Sequence, residues 1–140
     1  MTIDLKGSKC VVVVREDLPT GLTVNAAAVA TLTLGQRVPE LVGPDVKDAD
    51  GTVHAGIVLI PVPILKAPAE RIAEIVAEAG RDEELTVVGF SDLAQSCRTY
   101  DEYIERMGAA PSAELTYTSV GLFGPKKQLN RLTGSLPLVR

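Results

Sequence analysis

Four consecutive valines at residues 11–14 constrain the fold of this chain more than any other feature of its sequence. A β-branched run without alternation of apolar and polar residues is typical of a strand buried on both faces, as in a central parallel pair. Such a strand needs other layers packed above and below it. With 140 residues, the chain is long enough to bury a substantial core without metal or disulfide support. We expect residues 1–140 to form a single domain.

Strands and helices are predicted to alternate along the rest of the chain. Residues 22–34 are Ala-rich with apolar side chains on all sides, which predicts a mostly buried helix ending at Gly35. The clearest amphipathic helix opens at Pro68 and ends at Gly80. Further strands are expected over residues 55–62, 85–90, 114–123 and 136–139, further helices over 100–107 and 124–132, and an exposed loop with a small hairpin over 39–52. The predicted fold class is three-layer α/β/α with a mixed, largely parallel sheet of four to five strands.

Composition and charge argue against several kinds of site and partner. Cys10 and Cys97 lie far apart in the sequence, and with a single histidine they form no zinc pattern, so neither a disulfide nor a metal site is expected. No cofactor is predicted either, because the dinucleotide pattern Gly-x-Gly-x-x-Gly is absent after the valine run. The longest apolar stretch, residues 56–65, is too short to span a bilayer and no signal peptide is recognised, so we expect a cytoplasmic protein. A net charge of −4 disfavours tRNA as a partner.

Three segments, taken in order, resemble the type II peptidyl-tRNA hydrolases. Residues 11–18 are similar to that family's strand ending in Arg-x-Asp-Leu. Residues 21–35 are similar to its small-residue helix, written Gly-Lys-x-Lys-x-Ala-Ala-Gln-x-x-His-Ala-x-x-Gly. Residues 119–138 are similar to its last strand, Gly-Pro turn and Thr-Gly-x-Leu-x-Leu finish. The resemblance covers about half of the chain and implies the hydrolase-like version of the fold given above.

The departures from that family concern its functional side chains. The two helix lysines of the family fall here on Leu22 and Val24, its glutamine on Ala28, and its histidine on Thr31. The charged groups that would engage substrate or move protons are therefore missing. Residues 25–28, 54–56, 60–65, 99–101 and 136–140 more closely resemble a bacterial sister group, domain-of-unknown-function family 2000. That family supplies no activity to carry over.

Two candidate catalytic groups remain in the sequence. His54 is the only histidine, and imidazole titrates near physiological pH, so it is the natural general base. The plainer interpretation of His54 is a hydrogen-bonded histidine beside the Asp50-Gly51 turn. Cys97, next to Arg98, is a candidate nucleophile with a lowered pKa, although a small residue at a helix edge is the favoured interpretation.

Three further polar residues are candidates for ligand binding. Arg15 follows the first strand, and Asn25 is the one amide in an otherwise apolar helix, where it either closes the loop after that strand or points into a cleft. Lys126 and Lys127 follow a Gly-Pro turn, which indicates an anion site at a helix N-terminus or a solvated basic turn. We expect Arg15, Asn25, His54 and Lys126 to meet where the loop after the first strand approaches the helix and the Gly-Pro turn.

Three functions are consistent with these residues. The leading hypothesis is a protein that binds a small molecule or an aminoacyl-type ligand. The second is a hydrolase of aminoacyl or peptidyl esters with a rebuilt site around His54. The third is a non-catalytic partner-binding protein that forms a homodimer through the Ala-rich helix or an edge strand.

Overall fold

The computed structural model describes residues 3–140 and has a mixed α/β fold; residues 1 and 2 of the predicted domain lie outside the described residues. Its strands are β1 (Ser8–Arg15), β2 (Val46–Lys47), β3 (Val53–His54), β4 (Ile64–Ala67), β5 (Thr86–Ser91) and β6 (Tyr117–Pro125). Its helices are α1 (Thr20–Arg37), α2 (Ala69–Ala79), α3 (Asp92–Ser96), α4 (Tyr100–Gly108) and α5 (Lys126–Thr133), with short 3₁₀ turns at Pro39–Leu41 and Ser112–Glu114. The predicted α/β class is confirmed.

The main sheet has four strands in the order β4-β1-β6-β5. β1 is parallel to β4 but antiparallel to β6, and β6 is antiparallel to β5. Three strands therefore run in one direction, and β6 runs in the opposite direction between two of them. The sheet is mixed, as predicted, but only one of its three neighbouring pairs is parallel. A valine run demands burial on both faces, and an antiparallel neighbour satisfies that demand as well as a parallel one.

The valines of β1 alternate between two cores. Val12 and Val14 pack against Ala26 and Ala30 of α1 on one face of the sheet. Val11 and Val13 belong to a cluster on the other face, which includes the buried side chains of α2 and α5. All four valines are fully buried. Helices on both faces explain why the valine run in this strand includes no polar residue.

The strand predicted over residues 55–62 is wrong. Ile57 is 78% exposed, and the strand that pairs with β1 begins only at Ile64, after Pro63. The exposed segment instead follows the loop after α1: Gly43 donates its backbone N–H to the carbonyl of Ile57 across 2.9 Å. The prolines lack the N–H groups that a ladder requires, which keeps this apolar segment out of the main sheet.

Helix α1 also differs from the prediction, because it is neither buried on all sides nor ended by Gly35. It continues to Arg37, and its buried residues are confined to Ala26, Ala30 and Leu34. Leu32 is 80% exposed. A helix in an outer layer of the domain has one face toward the sheet and one toward solvent, whatever the residues on the second face.

The other predicted elements fall close to their expected positions. The amphipathic helix is α2, the small hairpin is formed by β2 and β3, and the helix over residues 100–107 is α4. The predicted terminal strand is reduced to one bridge, between Leu65 and Leu138. No helix within residues 3–140 is long and apolar enough to cross a membrane.

Candidate functional site

Two of the four residues expected to form one site, Arg15 and Lys126, lie far apart in the structure. Arg15 ends β1, whereas Lys126 follows β6, and the register pairs Ser8 with Pro125 and Val14 with Ser119. Arg15 and Lys126 are therefore at opposite ends of β1, roughly 23 Å apart along an eight-residue strand. The expectation of a shared site assumed that the end of the last strand lies beside the end of the first. Because β6 is antiparallel to β1, its end lies beside the beginning of β1 instead.

Three of these residues, Arg15, Asn25 and Lys126, form hydrogen bonds with other parts of the chain. Arg15 Nε donates to Asp17 Oδ1 across 2.7 Å, within the loop that leads to α1. Asn25 is exposed rather than buried, and its Oδ1 accepts from Gln95 Nε2 across 3.3 Å. The backbone N–H of Lys126 donates to the carbonyl of Gly7 across 3.0 Å. The first amide of α5 is thus already occupied by the chain itself.

His54 lies on the β2–β3 hairpin, and none of the other three residues lines the depression beside it. Its Nε2 is 2.9 Å from Asp48 Oδ2, and this hydrogen bond, followed by that from the Thr52 amide, holds the pKa of the Asp48 carboxyl below its usual value. The adjacent depression, about 360 Å³ in volume, is lined within residues 43–59 by glycine, proline, alanine and branched apolar side chains besides His54 itself. Those side chains provide no hydroxyl or thiol as a nucleophile.

A larger cleft of about 970 Å³, which we call the β5 groove, runs beside strand β5. Its floor is formed by residues 85–90, one wall by Val29, Thr33 and Arg37 of α1, and the other wall by Ala94, Cys97, Arg98, Thr99, Tyr100 and Tyr103. The α1 residues are spaced four apart and therefore share one stripe of the helix. The groove brings together α1, the edge of the sheet and the connection between α3 and α4.

The floor of the β5 groove is the open edge of the sheet. Side chains of a strand alternate between two faces, so a cleft over one face is lined by every second residue. Here six consecutive residues, 85–90, line the cleft, which places it along the backbone edge. β5 is the last strand of the sheet, and within residues 3–140 the backbone of residues 86–90 bonds to β6 and to no other segment.

The charged groups at the β5 groove are both cationic. Arg37 and Arg98 line it, no carboxylate does, and neither guanidinium forms an ion pair within the described part of the chain. Tyr100 and Tyr103 stand edge to face at one end, with ring centroids 5.4 Å apart. Guanidinium and aromatic groups beside an open strand edge are suited to an extended organic anion.

The two cysteines differ in their surroundings. Cys97 lines the groove, donates to the Leu93 carbonyl across 3.2 Å and accepts from Arg106 Nη1 across 3.7 Å. Cys10 is buried in the sheet, and burial raises its pKa to about 11. Residues 3–140 contain no group of three or more His, Cys, Asp or Glu side chains arranged to hold a metal ion.

Sequence reasoning missed the groove as a whole. It identified Cys97 and Arg98 as a pair, but it gave no role to Arg37 or to the edge of β5. The spacing of Val29, Thr33 and Arg37 is visible in the sequence, although nothing in the sequence shows which strand ends the sheet.

Comparison with known proteins supports the family resemblance. Residues 8–140 match the model of a family described as protein of unknown function, DUF2000. A solved structure of a protein of unknown function from Agrobacterium tumefaciens strain C58 superimposes with a TM-score of 0.85 at 15% identity, covering 96% of this chain and 98% of that one. At that identity the superposition shows a shared fold only. No curated protein matches the chain. Because the family model spans nearly all of its residues, the chain belongs to the DUF2000 family.

Proposed function

We propose that this protein binds a small peptide-like ligand, of the aminoacyl or peptidyl class, along the open edge of β5. The observation that carries the proposal is the lining of the β5 groove by six consecutive residues, five of them from β5, the strand at the edge of the sheet that pairs only with β6. An extended peptide binds such an edge by adding one strand, with main-chain hydrogen bonds giving affinity and flanking pockets giving specificity. Six residues offer roughly 20 Å of edge, enough for a short peptide.

The charges of the groove favour a ligand with a carboxylate. No carboxylate lines the groove; Glu102, outside the lining, accepts from the backbone N–H of Arg98 across 3.2 Å and forms no ion pair with its guanidinium. A guanidinium binds a carboxylate through two parallel hydrogen bonds. Tyr100 and Tyr103 add an aromatic surface beside Arg98 for an apolar side chain of the ligand.

The same charges argue against a second copy of the chain on this edge. A two-fold dimer places one surface against itself. Pairing through β5 would bring Arg37 and Arg98 of one copy toward the same residues of the other, with no carboxylate in the lining to offset them. A separate anionic ligand meets no such repulsion.

Nuclear magnetic resonance titration with N-acetyl-Val-Thr-Val tests this proposal. We expect saturable shifts of the amides of residues 86–90, weaker binding of the C-terminal amide form, and none of a backbone N-methylated form that cannot pair with the strand. Arg98→Gln and Arg37→Gln should each weaken binding about fivefold, whereas Arg81→Gln, outside the groove, should not. Shifts that bypass residues 86–90, or equal binding of the N-methylated peptide, would rule out strand addition.

An ester hydrolase around His54 is the second candidate function. It is supported by the 2.9 Å contact with Asp48, because a carboxylate partner orients an imidazole. With no nucleophilic side chain in the adjacent depression, the base would have to activate water. Turnover of an N-acylaminoacyl ester or a peptidyl-tRNA should then disappear in His54→Ala and fall in Asp48→Asn; turnover that survives His54→Ala would remove this candidate.

A homodimer through α1 is the third candidate, supported by exposed apolar surface. Ala28, Leu32, Val42 and Val58 line a mostly apolar depression of about 740 Å³, and all four are exposed. Exposed apolar patches of this kind often mark protein contacts. If α1 pairs with a second copy, sedimentation should show a dimer that Leu32→Glu converts to monomer. Leu22→Glu, on the same helix but outside the depression, is the matched control.

A further inference from the structure

Another pocket lies at the beginning of β1, at the opposite end of this strand from the Arg15 loop. It has a volume of about 570 Å³, and we call it the Lys pocket. Lys6, Lys9 and Lys126 line it together with Asn130 and an apolar surface of Leu5, Ile60, Pro61 and Pro63. The antiparallel pairing of β1 with β6 creates it, because the start of β1 and the end of β6 bring their lysines together.

The three lysines of this pocket lack acidic partners. No carboxylate lines the pocket, and within the described residues none of the three ammonium groups lies within salt-bridge distance of a carboxylate. Asp4, nearby in sequence, accepts from the Gly7 amide across 3.1 Å. The chain as a whole has a net charge of −4, but around this pocket three cations lie without acidic partners. The pocket is therefore locally positive.

Lys9 is held in place by a neutral side chain. Its Nζ donates to Asn130 Oδ1 across 2.8 Å, in a contact that links β1 to α5. The amide fixes the position of the ammonium without neutralising its charge. Lys9 therefore has two further N–H donors for a ligand.

We propose that the Lys pocket binds a phosphomonoester group carried on an apolar body. Three ammonium groups match the double negative charge of a phosphomonoester better than the single charge of a carboxylate, and lysine is a common phosphate ligand. The apolar surface of Ile60, Pro61 and Pro63 contacts the organic part of the ligand. This site is independent of the β5 groove.

Calorimetric titration with phenyl phosphate tests the proposal. We expect saturable binding that weakens with added salt, and weaker binding of inorganic phosphate, which lacks the apolar body. Lys9→Met and Lys126→Met should each reduce the affinity about fivefold. Lys127→Met removes the same charge from the neighbouring position of α5, outside the pocket lining, and should leave the affinity within about twofold.

Asn130→Asp tests the role of charge in the Lys pocket, because the substitution barely alters the size of the side chain. The new carboxylate would pair with Lys9 and compete with the phosphate, so binding should weaken while thermal stability is kept.

Vesicles of phosphatidylcholine with phosphatidic acid distinguish a lipid headgroup from a soluble phosphomonoester. Cosedimentation with these vesicles that is weakened in Lys9→Met assigns the site to the lipid form. Absence of binding to both probes overturns the proposal, as does a loss of affinity in Lys127→Met equal to that in Lys126→Met.

Discussion

Gln95 donates its side-chain amide to Asn25 Oδ1 across 3.3 Å and so connects α3 to α1. The same nitrogen donates to the carbonyl of Leu22 across 3.2 Å, near the beginning of α1. The contact lies beside Ala94, at one wall of the β5 groove. Asn25 on α1 is therefore in contact with the short helix α3.

Removing this contact should loosen α3 without unfolding the domain. We expect Asn25→Ala and Gln95→Ala each to lower the free energy of unfolding by less than about 1 kcal/mol, since both groups return to solvent. Amide hydrogen exchange over residues 92–96 should accelerate in both variants. If the contact matters, the double variant should lose less stability than the sum of the two; full additivity would show that the amides act separately.

Two leucines of α1, two residues apart, should differ in how much stability the same substitution removes. Leu34 is 1% exposed and Leu32 is 80% exposed. Leu34→Ala should lower the free energy of unfolding by about 2–5 kcal/mol, because it leaves a cavity against the sheet. Leu32→Ala should change it by less than about 0.5 kcal/mol. Equal losses in urea unfolding of the two variants would mean that α1 buries another face.

The two thiols should differ in reactivity toward iodoacetamide. Cys10 is 1% exposed and its pKa is raised to about 11 by burial, so it supplies almost no thiolate at neutral pH. Cys97 lies in the β5 groove. Mass spectrometry of the native protein should find the adduct on Cys97 and none on Cys10. Denaturation should expose both, and a native adduct on Cys10 would contradict this account of the core.

The hairpin contact between His54 and Asp48 should be visible in an acid titration. The pKa of Asp48 is lowered, first by the hydrogen bond to His54 and then by that from the Thr52 amide. Because the pKa of the Asp48 carboxyl is lowered, its ionised form stabilises the hairpin at any pH above the ordinary carboxyl pKa. That contribution is lost as the pH falls through the lowered pKa. In carbon-13 titrations, His54→Ala should raise the pKa of Asp48 toward its ordinary value.

The matched control for that titration is His54→Asn, which keeps a side-chain N–H. It should raise the pKa of Asp48 less than alanine does. In both variants the backbone amides of Thr52 and Asp50 remain as donors, so the pKa should stay below the ordinary value. An Asp48 titration identical in all three proteins would mean that the imidazole does not contact the carboxylate in solution.

Local sequence signals determined much of the secondary structure. The spacing of apolar residues located α2, and the valine run located the central strand, because side-chain periodicity reflects which faces are buried. The same signals failed for residues 55–62 and for the outer face of α1. The sequence of an apolar segment does not show whether another part of the chain will cover it.

Tertiary structure alone decided where the functional groups meet. The sequence supplied Arg15, Asn25, His54 and Lys126 as candidates, but the direction of β6 separates the first from the last by the length of β1. That direction depends on how the sheet assembles over contacts more than a hundred residues apart in sequence, such as Ser8 with Pro125. The same pairing gathers the lysines at the beginning of β1 and leaves β5 as the open edge. The sequence thus determined which side chains are available, and the long-range pairing of strands determined which of them share a site.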